Sequence, residues 1–137
     1  MPIRTLLVLL LACCTGHAAP PAADGWPQQV LQAVNVQRQA QGLPALAWSD
    51  ALVGVALGHS QRMADERRLS HDGFQARFDA VDSDLCVENV AAGTLQAQVL
   101  VNAWSRATLH RRNLLEPRVR RAAVAAVRGY VTLFACE

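Results

Sequence analysis

Residues 122–136 read AAVAAVRGYVTLFAC, and this stretch decides the class of fold that we expect. Two apolar runs flank the dipeptide Arg128-Gly129, a pattern typical of two strands joined by a tight turn. A further strand is predicted over residues 85–91. The second half of the chain is therefore predicted to supply a small antiparallel sheet.

Helical spacing of apolar residues marks most of the remaining chain. Apolar positions recur three and four residues apart over 26–41 and again over 49–67, and shorter helices are predicted over 74–81 and 95–107. Residues 43–48 are expected to be an extended connector, because a proline disfavours helix at the residue before it. Helices that cluster early and strands that cluster late favour an α+β layered domain over a repeated β-α-β unit.

Residues 1–18 have the pattern of a secretory signal peptide. Arg4 gives a positive amino-terminal region, residues 6–14 are apolar, and Gly16-His17-Ala18 places small residues at the two positions that signal peptidase reads. The apolar run is shorter than the roughly 20 residues that span a bilayer. We therefore expect cleavage after Ala18 and a secreted or periplasmic protein.

The leader also sets the domain boundaries that we expect. Residues 19–27 are predicted to be a flexible lead-in, and residues 28–137 to form a single domain without a transmembrane segment. One alternative keeps the protein at a membrane, because Leu10-Leu11-Ala12-Cys13 is a loose lipobox whose cysteine would carry a lipid anchor.

The charge balance argues against a nucleic-acid partner. Lys plus Arg number 13 against 11 Asp plus Glu, a net charge of +2, and every one of these cations is arginine. Several arginines crowd the last third of the chain, and they offer either a contact for an anionic surface or a solvated face. The patch comprises Arg106, Arg111, Arg112, Arg118, Arg120, Arg121 and Arg128, and the predicted contact is made by Arg111, Arg112, Arg118, Arg120 and Arg121.

The cysteine count fits an exported domain. Two of the four cysteines lie in the leader, which leaves Cys86 and Cys136. In an oxidising compartment two such cysteines most often pair, and the alternative is two buried free thiols. A disulfide between them would close a loop of about 50 residues and stabilise the fold by about 4 kcal/mol in the chain-entropy model.

Three polar residues are candidates for a binding site. His71 and His110 are the histidines of the segments Ser70-His71-Asp72 and His110-Arg111-Arg112-Asn113, and Glu88 lies between them in Glu88-Asn89-Val90-Ala91. Neutral imidazole and carboxylate are usual donors to divalent metals such as Zn²⁺, so His71 and His110 are candidate ligands. The alternative is that all three side chains only hydrogen-bond the loops around a cleft. His59 falls on an apolar helix stripe and is predicted to be structural.

Taken in order, these fragments resemble the CAP superfamily, which comprises cysteine-rich secretory proteins, antigen 5 and pathogenesis-related proteins, in its short bacterial secreted form. The resemblance covers about residues 29–136 and implies an α-β-α sandwich with a central cleft that holds two histidines and two acidic residues. The matching fragments are Asn35 with Arg38, Gly42-Leu43-Pro44 with Leu46 and Trp48, His59-Ser60 with Met63, Ser70-His71, Glu88-Asn89-Val90-Ala91, Trp104, and His110-Arg111-Arg112-Asn113.

The resemblance assigns positions in that cleft and also reveals one departure. His71 and His110 match the two cleft histidines, and Glu88 matches the first acid. The second acid of the family usually stands three residues after the tryptophan, where this chain has Ala107. The cleft should therefore be less anionic, and its affinity for a metal lower, than the full family pattern implies.

Two functions follow as hypotheses. The first is a secreted, non-catalytic binding module with a His/Glu cleft, whose ligand is a lipid or a divalent metal and which requires no cofactor. The alternative is a metal-assisted envelope hydrolase for peptide or ester bonds, with His71 and His110 as ligands and Glu88 as general base. A third possibility is an exported scaffold that contacts a partner through its surface.

Overall fold

The computed structural model describes residues 25–137. The predicted signal peptide, its cleavage site and Cys13 lie outside the described residues. The elements in chain order are α1 (Trp26–Ala40), β1 (Ala47–Trp48), α2 (Asp50–Glu66), α3 (Phe74–Asp79), β2 (Cys86–Ala92), α4 (Ala97–Arg106), α5 (Thr108–Leu114), β3 (Arg121–Val127) and β4 (Tyr130–Cys136).

The sheet is built around the carboxy-terminal hairpin that the sequence predicts. Its strand order is β1-β3-β4-β2, and β3, β4 and β2 pair antiparallel. Arg128 and Gly129 form the turn with φ of 47° and 82°, a left-handed conformation that glycine adopts without strain. β1 differs from the expected pattern, because its two residues pair parallel to β3 at the sheet edge.

Helices cover both faces of the sheet, which gives the expected α-β-α sandwich. Leu133 and Val131 of β4 face a core cluster shared with α1 and α4, whereas Phe134 faces a second cluster with Leu52 and Ala56 of α2. A strand that is buried on both faces needs apolar residues at nearly every position. This double burial explains why β3 and β4 are apolar at nearly every position and do not alternate between apolar and polar residues.

The predicted disulfide is confirmed. Cys86 begins β2 and Cys136 ends β4, and the two are directly opposite partners across the antiparallel pair, with Cα atoms 4.1 Å apart. The bond ties the outer strand β2 to the central strand at the carboxy-terminal end of the fold.

Helix α5 was not predicted from the sequence. α4 ends at Arg106, Ala107 is extended with ψ of 121°, and α5 begins at Thr108. Only Leu114 of α5 is buried, while Leu109 is 73% exposed. A seven-residue helix with one buried residue has no apolar stripe, so the periodicity that reveals the other helices is missing here.

A buried arginine of α1 fixes the segment that follows α5. Arg38 is fully buried and donates hydrogen bonds to the carbonyls of Pro44, Leu114 and Glu116 at 2.9 to 3.0 Å. Burial lowers the pKa of this guanidinium, and the charge of Arg120 lowers it further. Because its donors face backbone carbonyls, Arg38 anchors the end of α5 to α1.

None of the helices within residues 25–137 combines the length and apolar character needed to cross a bilayer.

Candidate functional site

The Glu88 carboxylate lies at the centre of the predicted site. Its side chain is 1% exposed, and the guanidinium of Arg77 in α3 donates to both of its oxygens, Nε to Oε2 at 2.7 Å and Nη2 to Oε1 at 2.8 Å. His71 Nδ1 lies 2.8 Å from Oε1. Because an ionised carboxylate only accepts, His71 donates from Nδ1 and keeps a lone pair on Nε2 when it is neutral.

The pairing keeps Glu88 ionised in spite of its burial. Burial by itself raises the pKa of this carboxyl. Hydrogen bonds from His71 and Arg77, together with the positive charge of Arg77, outweigh burial and hold the pKa below its ordinary value of 4.5. Glu88 is therefore ionised, and both of its oxygens accept hydrogen bonds, from Arg77 and from His71.

His59 of α2 lies behind the same carboxylate and is buried, in keeping with its place on an apolar stripe. It is 3% exposed, and its Nε2 lies 2.7 Å from the carbonyl of Ser70 and 3.7 Å from Glu88 Oε1. Since a carbonyl only accepts, Nε2 carries the proton and donates. Burial lowers the pKa of His59, which favours the neutral ring. His59 thus holds the loop that carries His71.

Strand β2 positions the second predicted histidine. Asn89 Nδ2 donates to the carbonyl of His110 at 3.1 Å, and Asn113 Nδ2 donates to the carbonyl of Glu88 at 3.0 Å and to Asn89 Oδ1 at 3.0 Å. The ring of His110 packs edge-on against Trp104, with centroids 6.5 Å apart. These contacts fix α5 against β2 and bring His110 to the same side of the strand as His71.

The pKa of His110 reflects both its burial and its neighbour. Burial lowers this pKa, and the positive charge of His71 lowers it further. The two predicted cleft histidines are therefore close enough to interact.

The structure brings His71, Glu88 and His110 together in one open cleft of about 450 Å³. Ala107, which stands in place of the family's second acid, is exposed at the junction of α4 and α5. The residues that line the cleft are His71, Phe74, Cys86, Val87, Glu88, Leu109, His110, Arg112 and Asn113.

Sequence reasoning missed two features of this cleft. Arg77, which neutralises Glu88, lies on a helix with no buried residue and carries no motif; the only signal for it is that a buried acid needs a cationic partner. Arg112 was predicted as part of an arginine surface, but it also lines the cleft.

The remaining arginines of that predicted surface have different surroundings. Arg118 pairs with Glu137 at 2.6 Å, Arg120 donates to the carbonyl of Pro117, and Arg121 donates to the carbonyl of Asp82 at 2.9 Å. Within residues 25–137, Arg111 and Arg112 make no ion pair. The arginine run is therefore divided into paired and unpaired cations.

As a metal site, the cleft offers two donors. His71 Nε2 and the ring of His110 are the candidate ligands, and the Glu88–His71 hydrogen bond is the outer-shell arrangement that orients ligating imidazoles. Across the described residues there is no cluster of three or more His, Cys, Asp or Glu that could hold an ion. Since structural zinc takes four protein ligands and catalytic zinc usually three, these residues fit a weak, exchangeable ion at most.

Comparison with known proteins identifies the family. The profile of the Cysteine-rich secretory protein family, CAP, matches residues 31–136. The chain belongs to this family. The match covers the elements that form both the sandwich and the cleft, so the CAP resemblance noted from the sequence fragments is confirmed.

Two curated relatives come from Bacillus subtilis. The protein YkwD is 30% identical over 110 residues, which cover 75% of this chain and 43% of YkwD. The membrane protein YlbC is 30% identical over 112 residues, which cover 77% of this chain and 32% of YlbC. This CAP chain thus spans less than half the length of either relative.

Solved structures of bacterial proteins share the CAP fold. An extracellular protein with an SCP domain from Bacillus anthracis matches with a TM-score of 0.74 and 29% identity, over 81% of this chain and 40% of its own. A cysteine-rich secretory protein from Staphylococcus aureus matches with a TM-score of 0.74 and 19% identity, over 82% of this chain and 38% of its own. An outer surface protein from Borrelia burgdorferi matches with a TM-score of 0.69 and 20% identity, over 80% of this chain and 91% of its own.

Proposed function

We propose that this CAP domain is an exported, non-catalytic binding module whose ligand enters the cleft between His71 and His110. The observation that carries the proposal is the hydrogen bonding and burial of the Glu88 carboxylate. Both of its oxygens accept hydrogen bonds from Arg77, one also accepts from His71, and its side chain is 1% exposed. A carboxylate in this state orients His71, and its remaining lone pair, on Oε2, is buried away from solvent.

The same geometry weighs against the hydrolase alternative. A general base must reach the proton that it removes, and its pKa should lie near the working pH. Glu88 is enclosed, its pKa is lowered, and the family's second acid is replaced by Ala107. A hydrolase would therefore lack a carboxylate able to activate water in this cleft.

Two ligand classes are compatible with a binding module. A divalent cation such as Zn²⁺ would be held by His71 Nε2 and His110 and would complete its coordination with solvent or with the bound ligand. A lipid has support elsewhere, in an apolar cavity of about 220 Å³ whose lining includes Trp26, Leu95 and Val131. No resident cofactor is part of the proposal.

Export is supported by the leader pattern of residues 1–18, by the Cys86–Cys136 disulfide and by the relative from Bacillus anthracis, which is an extracellular protein.

The proposal is tested by calorimetric titration of the purified protein with zinc. We expect saturable but weak binding that the double variant His71→Ala, His110→Ala loses by about tenfold or more, because even the loss of an outer-shell partner of a metal ligand costs about that much. The matched control is Asp79→Asn, which removes an exposed acid on α3 outside the cleft lining.

Oleate is titrated in parallel, because a lipid site in the apolar cavity should survive the double histidine substitution. Turnover of a peptide or ester substrate that requires zinc and is abolished by Glu88→Gln would overturn the non-catalytic assignment. Equal zinc binding by the wild type and the double variant would overturn the cleft as the zinc site, and the further absence of oleate binding would overturn both proposed ligand classes.

A further inference from the structure

We propose that the cleft recognises an oxyanion, a carboxylate or phosphate joined to a short apolar group, and that Arg112 is the residue that binds it. The inference rests on the proposed function, because it names the ligand class of the same cleft. The inference concerns the charged residues of this chain and not the histidine positions that the chain shares with its family.

The first step is the charge balance of the cleft. The only carboxylate in the lining is Glu88, and Arg77 cancels its charge through two hydrogen bonds of 2.7 and 2.8 Å. The other charged lining residue is Arg112, which is exposed and has no ion-pair partner anywhere in the part of the chain that the structure describes. Arg112 therefore gives the cleft a surplus positive charge.

The second step is the substitution at Ala107. An acid at this position, at the junction of α4 and α5, would add a negative charge close to the start of the helix that carries His110 and Arg112. With alanine there, nothing in the lining offsets the charge of Arg112. A cleft of this composition attracts an anion more strongly than a free divalent cation, because interactions between charges in a partly enclosed site are stronger than in water.

The third step is the chemistry of the groups that face the cleft. A guanidinium presents forked donors that match the two oxygens of a carboxylate or phosphate, and such charge-assisted hydrogen bonds are roughly twice as strong as neutral ones. His110 also lines the cleft, and its ring can donate a hydrogen bond to a bound anion.

The apolar part of the lining suggests what the oxyanion is attached to. Leu109 is 73% exposed, and Phe74, Val87 and the disulfide-bonded Cys86 also line the same cleft. An exposed leucine next to an unpaired arginine favours a ligand with an apolar group adjacent to its charge. The volume of about 450 Å³ fits a small molecule or the end of a chain, since ligand pockets span about 300 to 1,000 Å³.

Phenyl phosphate is the probe that tests the inference, titrated calorimetrically in metal-free buffer with benzyl alcohol as its uncharged counterpart. We expect saturable binding of phenyl phosphate only, and a loss of about tenfold or more in Arg112→Gln, because the charge-assisted hydrogen bonds of the guanidinium are removed. The matched control is Arg111→Gln, which removes the same charge from the adjacent position of α5 but does not line the cleft. It should bind like the wild type.

Vesicles containing phosphatidic acid, compared with phosphatidylcholine vesicles, distinguish a lipid headgroup from a soluble phosphate. Vesicle binding that accompanies phenyl phosphate binding and needs Arg112 identifies the headgroup as a source of the oxyanion. Vesicle binding without phenyl phosphate binding, or equal losses in Arg111→Gln and Arg112→Gln, would overturn the inference, because the contact would then be a general surface attraction.

The zinc titration separates this result from the proposed function. If zinc binds through His71 and His110 while phenyl phosphate does not bind, the binding module stands and the oxyanion inference is wrong. If neither zinc, oleate nor phenyl phosphate binds, both fail.

Discussion

Glu88 shows how two opposing effects are resolved at a single residue. Burial of its carboxyl favours the neutral form. Arg77 donates two short hydrogen bonds and His71 a third, and together they stabilise the charged form more than burial destabilises it. The same contacts fix the proton of His71 on Nδ1. One buried carboxylate thus determines both the charge of the site and the nitrogen that His71 presents to the cleft.

The lowered pKa of Glu88 makes a prediction for stability in acid. Because the folded state holds this pKa below 4.5, the pairing stabilises the fold fully above pH 4.5 and is lost as the pH falls through the folded pKa. We expect the free energy of unfolding, measured with urea between about pH 3 and pH 7, to fall more steeply below pH 4.5 in the wild type than in Glu88→Gln.

Asp65→Asn is the control for this acid dependence. Asp65 pairs with Arg128 on the surface, where solvent screens the interaction, so this variant should follow the wild-type profile. Parallel profiles for the wild type and Glu88→Gln would show that Glu88 does not contribute to the loss of stability in acid.

At the scale of elements, α5 depends on contacts from distant parts of the chain. It buries only Leu114, and the carbonyl of Leu114 accepts a hydrogen bond from Arg38, which lies 76 residues earlier. Asn89 of β2 holds the carbonyl of His110. Short isolated helices are marginal in water, so tertiary hydrogen bonds replace the apolar stripe that stabilises other helices. Arg38 and Asn89 therefore determine where His110 and Arg112 lie.

Replacement of Arg38 tests this dependence. Arg38→Met fills a similar space but leaves buried carbonyls of the segment after α5 without donors, so we expect a loss of about 3 kcal/mol in the free energy of unfolding. Urea denaturation measures the loss. Arg106→Met, an exposed substitution at the end of α4, is the matched control and should change the stability by less than about 0.5 kcal/mol. A similar stability for both variants would contradict the anchoring role of Arg38.

At the scale of the whole molecule, the β3–β4 hairpin is the layer that both helical layers cover. Leu133 packs towards α1 and α4, and Phe134 packs towards α2. Cys136 at the end of the hairpin joins Cys86 of β2, across a sequence separation of 50 residues. The disulfide therefore links the outer strand, which carries Glu88 and Asn89, to the central strand of the sandwich.

Removal of the disulfide should destabilise the whole fold. The double variant Cys86→Ala, Cys136→Ala is expected to lose about 4 kcal/mol of unfolding free energy, because the unfolded chain regains the entropy of the open loop. Chemical denaturation of the variant and of the wild type with and without a thiol reductant measures the effect. The reductant should destabilise the wild type and leave the variant unchanged, and equal stability in all four samples would rule out the predicted contribution.

Local patterns in the sequence were sufficient for most of the fold. The four helices predicted over 26–41, 49–67, 74–81 and 95–107 match α1 to α4 within two residues at each end, and the predicted strands match β2 to β4 within one. The pairing of Cys86 with Cys136 followed from the cysteine count. These features are encoded within single elements, by apolar spacing, by turn residues and by composition.

The identities of the cleft residues His71, Glu88 and His110 came from the sequence, but their chemistry was decided by the tertiary structure. Arg77 neutralises Glu88 from a helix without a recognisable motif, Arg112 turns out to line the cleft, and α5 exists because Arg38 and Asn89 hold it. Periodicity reports which face of an element is buried, whereas the partner of a buried charge comes from another element and depends on how the layers pack. The sequence by itself therefore determined the sandwich and its candidate site, and the packing of α3 and α5 against β2 determined that the site is cationic.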